Sequence, residues 1–255
     1  MATVDFSAVP AGVEISVPRI NELNANSIRL GNAFAARLEA LMATFNDAKA
    51  RFTEDADKFV ASTTDPQSTG AARQLTKQRL AQQVVDLRRD LITSSANERA
   101  NFLRQIQAVA DEAAAIGAVL SSPAAMLGRM GIGEARKSEL IAQLRGAGTV
   151  ELEGMARMAI MLNDQVLAAA VLLVVDRQPR DRRAFVPAEF AQRVMGKDFD
   201  AIDAKLKAIA LALRSAIAAN REFERGAPDP LTNISLAIAR GALKNPLGDS
   251  EPAAA

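Results

Sequence analysis

Three closely spaced carboxylates, Asp198, Asp200 and Asp203, lie beside Lys197 and are the first candidates for a chemical site. Three carboxylates can hold a hard cation such as calcium. Their spacing does not fit an EF-hand loop, and carboxylates in the first turn of a helix are stabilised by the helix dipole alone. The sequence therefore favours the start of a helix near Lys197, and it predicts no metal site.

A glycine-rich segment at 128–138 (GRMGIGEARKS) is the second candidate. Glycines that precede a helix can bind phosphate through their backbone amides. The spacing is not that of a P-loop, and no predicted strand precedes it. A hinge between two short helices is the favoured interpretation, and no cofactor is predicted.

The densest basic cluster comprises four arginines: Arg177, Arg180, Arg182 and Arg183. Arginine binds carboxylate or phosphate groups with two parallel hydrogen bonds, so the cluster is a candidate partner-binding site. Asp176 and Asp181 lie among the arginines, and local salt bridges on a solvated loop are the alternative.

Three further basic residues, Lys77, Arg88 and Arg99, recur every eleven residues and so share one face of a predicted helix. The expected role is a solvent-facing surface. Binding of a lipid headgroup or of nucleic acid by this face is the alternative.

The sequence contains no Cys and no His. Disulfides, thiolate nucleophiles, Ser-His-Asp triads and His-ligated metal sites are thereby excluded. Trp and Tyr are also missing, which leaves ten Phe as the aromatic residues. No catalytic residue is nominated, and an enzyme that uses carboxylates alone is the least favoured function.

The net charge of +1 carries no strong signal for nucleic acid. Residues 1–18 lack the basic start of a secretory signal. The longest apolar run, from Val166 to Val175, is ten residues, whereas a membrane span needs about twenty. We expect a protein that is cytoplasmic or assembled into a particle.

A continuous apolar stripe predicts one long helix over residues 19–62, which would span about 66 Å. Six members of the stripe are candidate partner-binding residues: Phe34, Leu38, Leu41, Phe45, Phe52 and Phe59. A turn is predicted at 63–70, followed by a second long helix at 71–120. The two helices are expected to pair as an antiparallel hairpin.

The predicted fold is all-α, an elongated helical bundle built on this hairpin. Its predicted parts are an extended arm (1–18), the long hairpin (19–120), short helices with a glycine hinge (121–148), a second helical bundle region (149–243) and a flexible tail (244–255).

Within the second bundle region, one helix is predicted at 150–177, capped by Thr149. Asn163, Asp164 and Gln165 are expected to form a polar seam that fixes register or oligomer number, and a solvent-facing position is the alternative. A short helix at 187–195, a long one at 197–225 and a last one at 231–243 follow.

Long apolar stripes without catalytic residue types are typical of a non-enzymatic structural or assembly protein. Such a protein associates with itself or with other proteins of a larger assembly, as a virion, filament, lattice or scaffold component. The alternative from another class is a membrane-active protein that exposes the apolar helix 155–175. The polar residues of that helix, Arg157, Asn163, Asp164 and Gln165, would make it costly in a bilayer.

Overall fold

Helices make up all the regular secondary structure in the described part of the chain. The computed structural model describes residues 15–62 and 66–244, and for residues 66–69 and 244 the backbone alone. Within these ranges there are nine α-helices and one 3₁₀ turn, Arg180–Arg182. The all-α prediction is confirmed. The predicted arm (1–18) and tail (244–255) lie almost entirely outside the described residues.

The nine helices follow one another with short connections. They are α1 (Val17–Ser62), α2 (Pro66–Ser94), α3 (Ala96–Val119), α4 (Pro123–Arg129), α5 (Ala135–Leu144), α6 (Thr149–Met161), α7 (Gln165–Asp176), α8 (Pro187–Arg225) and α9 (Pro230–Lys244). None of these described helices combines the length and the apolarity that crossing a membrane requires.

The contacts divide the chain into two units. Among the described residues, unit 1 falls within residues 1–24 and 111–208, and unit 2 falls within residues 25–110 and 209–255. The divisions fall inside α1, α3 and α8.

Helix α7 lies at the centre of unit 1 and packs against α4, α5 and α6. Eight of its twelve residues are buried, including Ala168, Val171 and Val175. A helix that packs against neighbours on several sides is expected to carry apolar residues around its whole circumference, as α7 does. Most of the apolar run from Val166 to Val175 is therefore buried within unit 1.

The first turn of α4 has the residue types that helix starts favour. Ser122 precedes the helix in an extended conformation, and its hydroxyl oxygen accepts a hydrogen bond from the Ala125 amide at 3.1 Å. Pro123 occupies the first helical position, where a missing amide proton costs nothing. At α6 the residue that precedes the helix is Gly148, so the prediction that Thr149 caps this helix is wrong.

The predicted second long helix at 71–120 is interrupted at Ser95, where α2 ends and α3 begins. The Ser95 hydroxyl donates a hydrogen bond to the Leu91 carbonyl at 2.6 Å. The Arg99 side chain donates a hydrogen bond to the Ile92 carbonyl at 2.9 Å. In an uninterrupted helix, this carbonyl would accept a hydrogen bond from the amide of residue 96. Serine hydroxyl bonds of this kind bend helices.

The predicted single helix at 150–177 is also divided, into α6 and α7. Asn163 has a φ of 50°, which asparagine tolerates better than most residues. Asp164 then caps α7 by accepting a hydrogen bond from the Leu167 amide at 3.0 Å. The residues predicted to form a polar seam therefore form a turn, and Asn163 is exposed.

Helix α8 is continuous where two helices, 187–195 and 197–225, were predicted. Gly196 lies within it, because one glycine costs a helix interior only about 1 kcal/mol. The predicted helix start near Lys197 is therefore wrong, and Asp198, Asp200 and Asp203 lie in a helix interior. The final predicted helix, 231–243, is confirmed by α9.

Candidate protein-binding surfaces

The six apolar candidates on α1 lie in two environments. Phe34, Leu38, Leu41 and Phe45 are buried, at 1%, 8%, 7% and 8% exposure. Phe52 is half-buried, and Phe59 is 57% exposed. The first four side chains pack within the chain, so Phe52 and Phe59 are the candidates that a partner can reach.

The buried candidates belong to what we call the inner core of unit 2, where α1, α2, α3 and α8 contribute side chains. The rings of Phe34 and Phe102 lie 5.7 Å apart between their centroids. Beside them, Arg37 forms two hydrogen bonds of 2.8 Å to the carboxylate of Glu98. These bonds from Arg37 hold the pKa of Glu98 below its usual value.

The candidate Phe59 belongs to what we call the exposed segment, residues 46–62 of α1 and 70–87 of α2. None of its described side chains is fully buried. Its half-buried positions recur mostly every four residues on each helix: Ala48, Phe52, Ala56 and Val60, then Ala72, Thr76, Leu80 and Val84. Phe59, Leu75 and Val85 are more than half exposed, at 57%, 56% and 59%.

Arg99 lies in the inner core rather than in solvent, so its assignment to a solvent-facing surface is wrong. The residue is 2% exposed. Its guanidinium donates to the Asn220 side chain at 2.6 Å and to Glu224 at 2.7 Å, and lies 5.0 Å from the Phe223 ring centroid. A buried arginine is tolerated because its donors are satisfied.

The sequence carried a signal for this position. The stripe on α2 and α3 passes through Leu91, Ser95, Phe102 and Ile106. The step from Ser95 to Phe102 is seven residues, twice the usual spacing. A helical stripe needs a member at position 98 or 99.

Arg88, from the same predicted surface, is half-buried. Its guanidinium lies 5.8 Å from the Phe45 ring centroid and donates to the Phe223 carbonyl at 2.6 Å. Gly226, which follows α8, has a φ of 78°, and a Cβ at this position would lie 2.5 Å from the guanidinium. Arg88 thereby joins α1, α2 and the end of α8.

The arginine cluster is divided between internal and external roles. Arg183 donates to the carbonyls of Gln178 and Asp176 at 3.0 and 2.7 Å, and forms a 3.2 Å ion pair with the Asp176 carboxylate. Arg177, Arg180 and Arg182 are exposed. The cluster is thus one fixed arginine and three that a ligand can reach.

Two members of the cluster line a cleft in unit 1. The cleft has a volume of about 780 Å³ and lies between α4, the end of α7 and residues 180–188. Arg180 and Arg183 both contribute to its wall, together with Leu172 and Phe185. A concave site with few charged groups is where a ligand is expected to bind.

The glycine-rich segment has the conformation of a bend. Gly131 and Gly133 have φ values of 65° and 88°. The buried Lys137 ammonium donates to the carbonyls of Gly128 and Met130 at 2.7 and 2.6 Å. Burial lowers the pKa of Lys137. This lysine holds the bend from inside, and a hinge at this position stays a prediction.

The three carboxylates of α8 do not form a cluster with other ligand types. Asp203 pairs with Lys207, one turn away, at 2.5 Å. Within the described residues, no group of three acidic side chains is arranged to hold a metal ion.

Two exposed apolar surfaces were not among the candidates. Helix α9 exposes Leu231, Ile234 and Ile238, at 79%, 57% and 69%. These residues share one face, since their spacing is three and four. The end of α6 exposes Met161 and Leu162, at 84% and 67%. Leu236, on the other side of α9, is buried at 7% exposure, so both sides of this helix carry apolar residues.

Comparison of the chain with protein families, with curated proteins and with solved structures finds no match.

Proposed function

We propose that this chain is a non-enzymatic structural protein that associates with copies of itself through seams between helices. The observation that carries the proposal is the exposed segment of unit 2. There, apolar side chains follow helical spacing over residues 46–62 and 70–87, yet none is fully buried. Single exposed apolar residues are ordinary, but a sustained row of apolar residues that are only half-buried favours an interface.

The charge distribution of the segment also supports self-association. Lys58 pairs with Glu54 on α1 at 2.7 Å, and the side chains of both are about two-thirds exposed, at 68% and 66%. A surface of apolar residues flanked by charges of both signs can meet a second copy without net repulsion.

The long antiparallel hairpin of residues 19–120 is part of the proposal. Phe34 meets Phe102, and Arg37 meets Glu98. Residue numbers rise along α1 as they fall along α3 in these two pairs, which supports opposite chain directions. Arg88 over Phe45 supports the same arrangement for α2.

Helix α9 supplies a second surface of the same kind in unit 2. Its row of Leu231, Ile234 and Ile238 has the spacing of a helix-packing seam. Covering a half-exposed leucine or isoleucine contributes about 1 kcal/mol. Several such residues are needed for a stable interface, and the exposed segment with α9 provides them.

The test is the mass of the native particle by light scattering over a range of concentrations. We expect a mass above the 27.1 kDa of one chain. Leu75→Lys, at a 56% exposed position, is expected to weaken association at least tenfold, because it removes an apolar contact from the seam and puts a charge in its place.

Gln78→Lys is the matched control, since Gln78 is an exposed polar residue one turn further along α2. It adds the same charge without removing an apolar contact. A particle of one chain at every concentration, or equal weakening by the two variants, would contradict the proposal.

A further inference from the structure

The cleft of unit 1 has the dimensions of a small-molecule site. Its volume of about 780 Å³ falls within the range of about 300 to 1,000 Å³ that such sites occupy. All of its lining residues belong to unit 1. The cleft therefore shares no lining residue with the surfaces proposed for self-association.

The walls of the cleft are mainly apolar and partly fixed. Of its twelve lining residues, three are charged. Leu172 is buried at 4% exposure and belongs to the central helix α7. The Phe185 ring packs against Phe190, with 4.9 Å between the centroids. An aliphatic chain would therefore meet a preformed surface rather than a collapsed one.

The charges of the cleft do not cancel. Arg183 and Asp176 form an ion pair at 3.2 Å, and two backbone carbonyls hold the same guanidinium. Arg180 has no hydrogen-bond or ion-pair acceptor among residues 15–62 and 66–244. The cleft thus presents one uncompensated positive charge beside an apolar surface.

We infer that this cleft binds a single-chain amphiphile with one carboxylate, of the chemical class of a medium-chain fatty acid. The chain lies against Leu172 and Phe185, and the carboxylate pairs with Arg180. A guanidinium and a carboxylate can form two parallel hydrogen bonds with each other. A ligand with a neutral head group would displace water from the Arg180 guanidinium without providing an anionic partner, which is unfavourable.

Isothermal titration calorimetry of the full chain tests the inference with decanoate and decanol, both kept below the concentrations at which they aggregate. Decanoate is expected to bind about tenfold or more tightly than decanol, because its head group forms a charge-assisted hydrogen bond. Arg180→Gln is expected to remove this preference and to leave decanol binding unchanged.

Arg182→Gln is the matched control, since Arg182 is exposed two residues away and does not line the cleft. It removes the same charge from the same loop. Equal loss of decanoate binding in the two variants would assign the effect to the overall charge of the loop and would overturn the inference.

The length of the ligand's aliphatic chain provides a second readout. Each added methylene that is buried is expected to tighten binding about fourfold, up to the length that fills the cleft. Ala188→Phe, at an exposed position that lines the cleft, is expected to shorten that limit or to abolish binding.

Thermal unfolding of Ala188→Phe establishes that the variant is folded. Wild-type affinity in Ala188→Phe, no preference for decanoate over decanol, or no binding of either compound would each overturn the inference.

Discussion

The inner core and the exposed segment of unit 2 share helices α1 and α2 and have the same apolar spacing along α1, yet they differ in burial. Phe34 in the inner core is 1% exposed, whereas Phe59 in the exposed segment is 57% exposed. Helix α8 supplies Phe223, Asn220 and Glu224 to the inner core. The comparison teaches that an apolar stripe identifies the face of a helix that packs inward. The neighbouring helices then determine how fully that face is buried.

The largest expected difference comes from making one substitution in both regions. Phe34→Ala is expected to lower the free energy of unfolding by about 3 to 5 kcal/mol, since it leaves a cavity beside Phe102. Phe59→Ala is expected to lower it by less than about 1 kcal/mol, because most of this ring is in water. Urea denaturation at a single protein concentration measures both.

Equal costs for the two phenylalanine variants would break the comparison. Such a result would show that the side chains of the exposed segment are as fully buried in solution as those of the inner core. Repeating the measurement at several protein concentrations would then show whether self-association provides the cover, because association adds to the apparent stability.

A smaller effect is expected from the buried arginine. Arg99→Met is expected to lower the free energy of unfolding by about 2 to 3 kcal/mol, because Asn220, Glu224 and the Ile92 carbonyl lose a donor. Glu224 remains partly hydrated, with 46% of its side chain exposed, which limits the loss.

Arg37→Met is the control for the arginine variant, since Arg37 pairs with Glu98 while 42% of its side chain is exposed. Exposed ion pairs contribute little to stability. A larger loss in Arg37→Met than in Arg99→Met would contradict the assignment of Arg99 to the inner core.

The smallest expected effect is a dependence of stability on pH. Hydrogen bonding from Arg99 holds the pKa of Glu224 below its usual value. A carboxylate whose pKa is lower in the folded than in the unfolded state contributes stability above the unfolded pKa. That contribution is lost as the pH falls through the folded pKa, so stability should decline from about pH 5 downward.

Comparing wild type with Glu224→Gln in urea denaturation at several pH values isolates this contribution, because glutamine does not titrate. The variant is expected to lose less stability between about pH 5 and pH 3 than the wild type does. Identical pH profiles for the two proteins would show that the ion pair with Arg99 does not stabilise the folded state.

The sequence predicts the parts of this fold that depend on repeated local pattern. The stripe on α1 identifies side chains from Ile20 to Phe45 that are buried. Ser122 and Pro123 identify the start of α4, because a hydroxyl cap before proline has a strong local preference. The apolar run of α7 likewise identifies the centre of unit 1.

The features that the sequence did not predict depend on choices between local alternatives of similar free energy. Asn163 is compatible with a helix and with the turn that it forms. Gly196 is tolerated within α8 although glycine often ends helices. The cleft around Arg180 required the positions of α4, α7 and the following loop, which no local pattern provides.

Position 226 illustrates how two independent constraints can coincide at one residue. Its left-handed backbone disfavours every residue that has a side chain. Any side chain that accepted that backbone would also displace the Arg88 guanidinium from the Phe223 carbonyl. Substitutions of Gly226 are therefore disfavoured for two independent reasons. A relative that replaces this glycine is expected to have a different residue at position 88 as well.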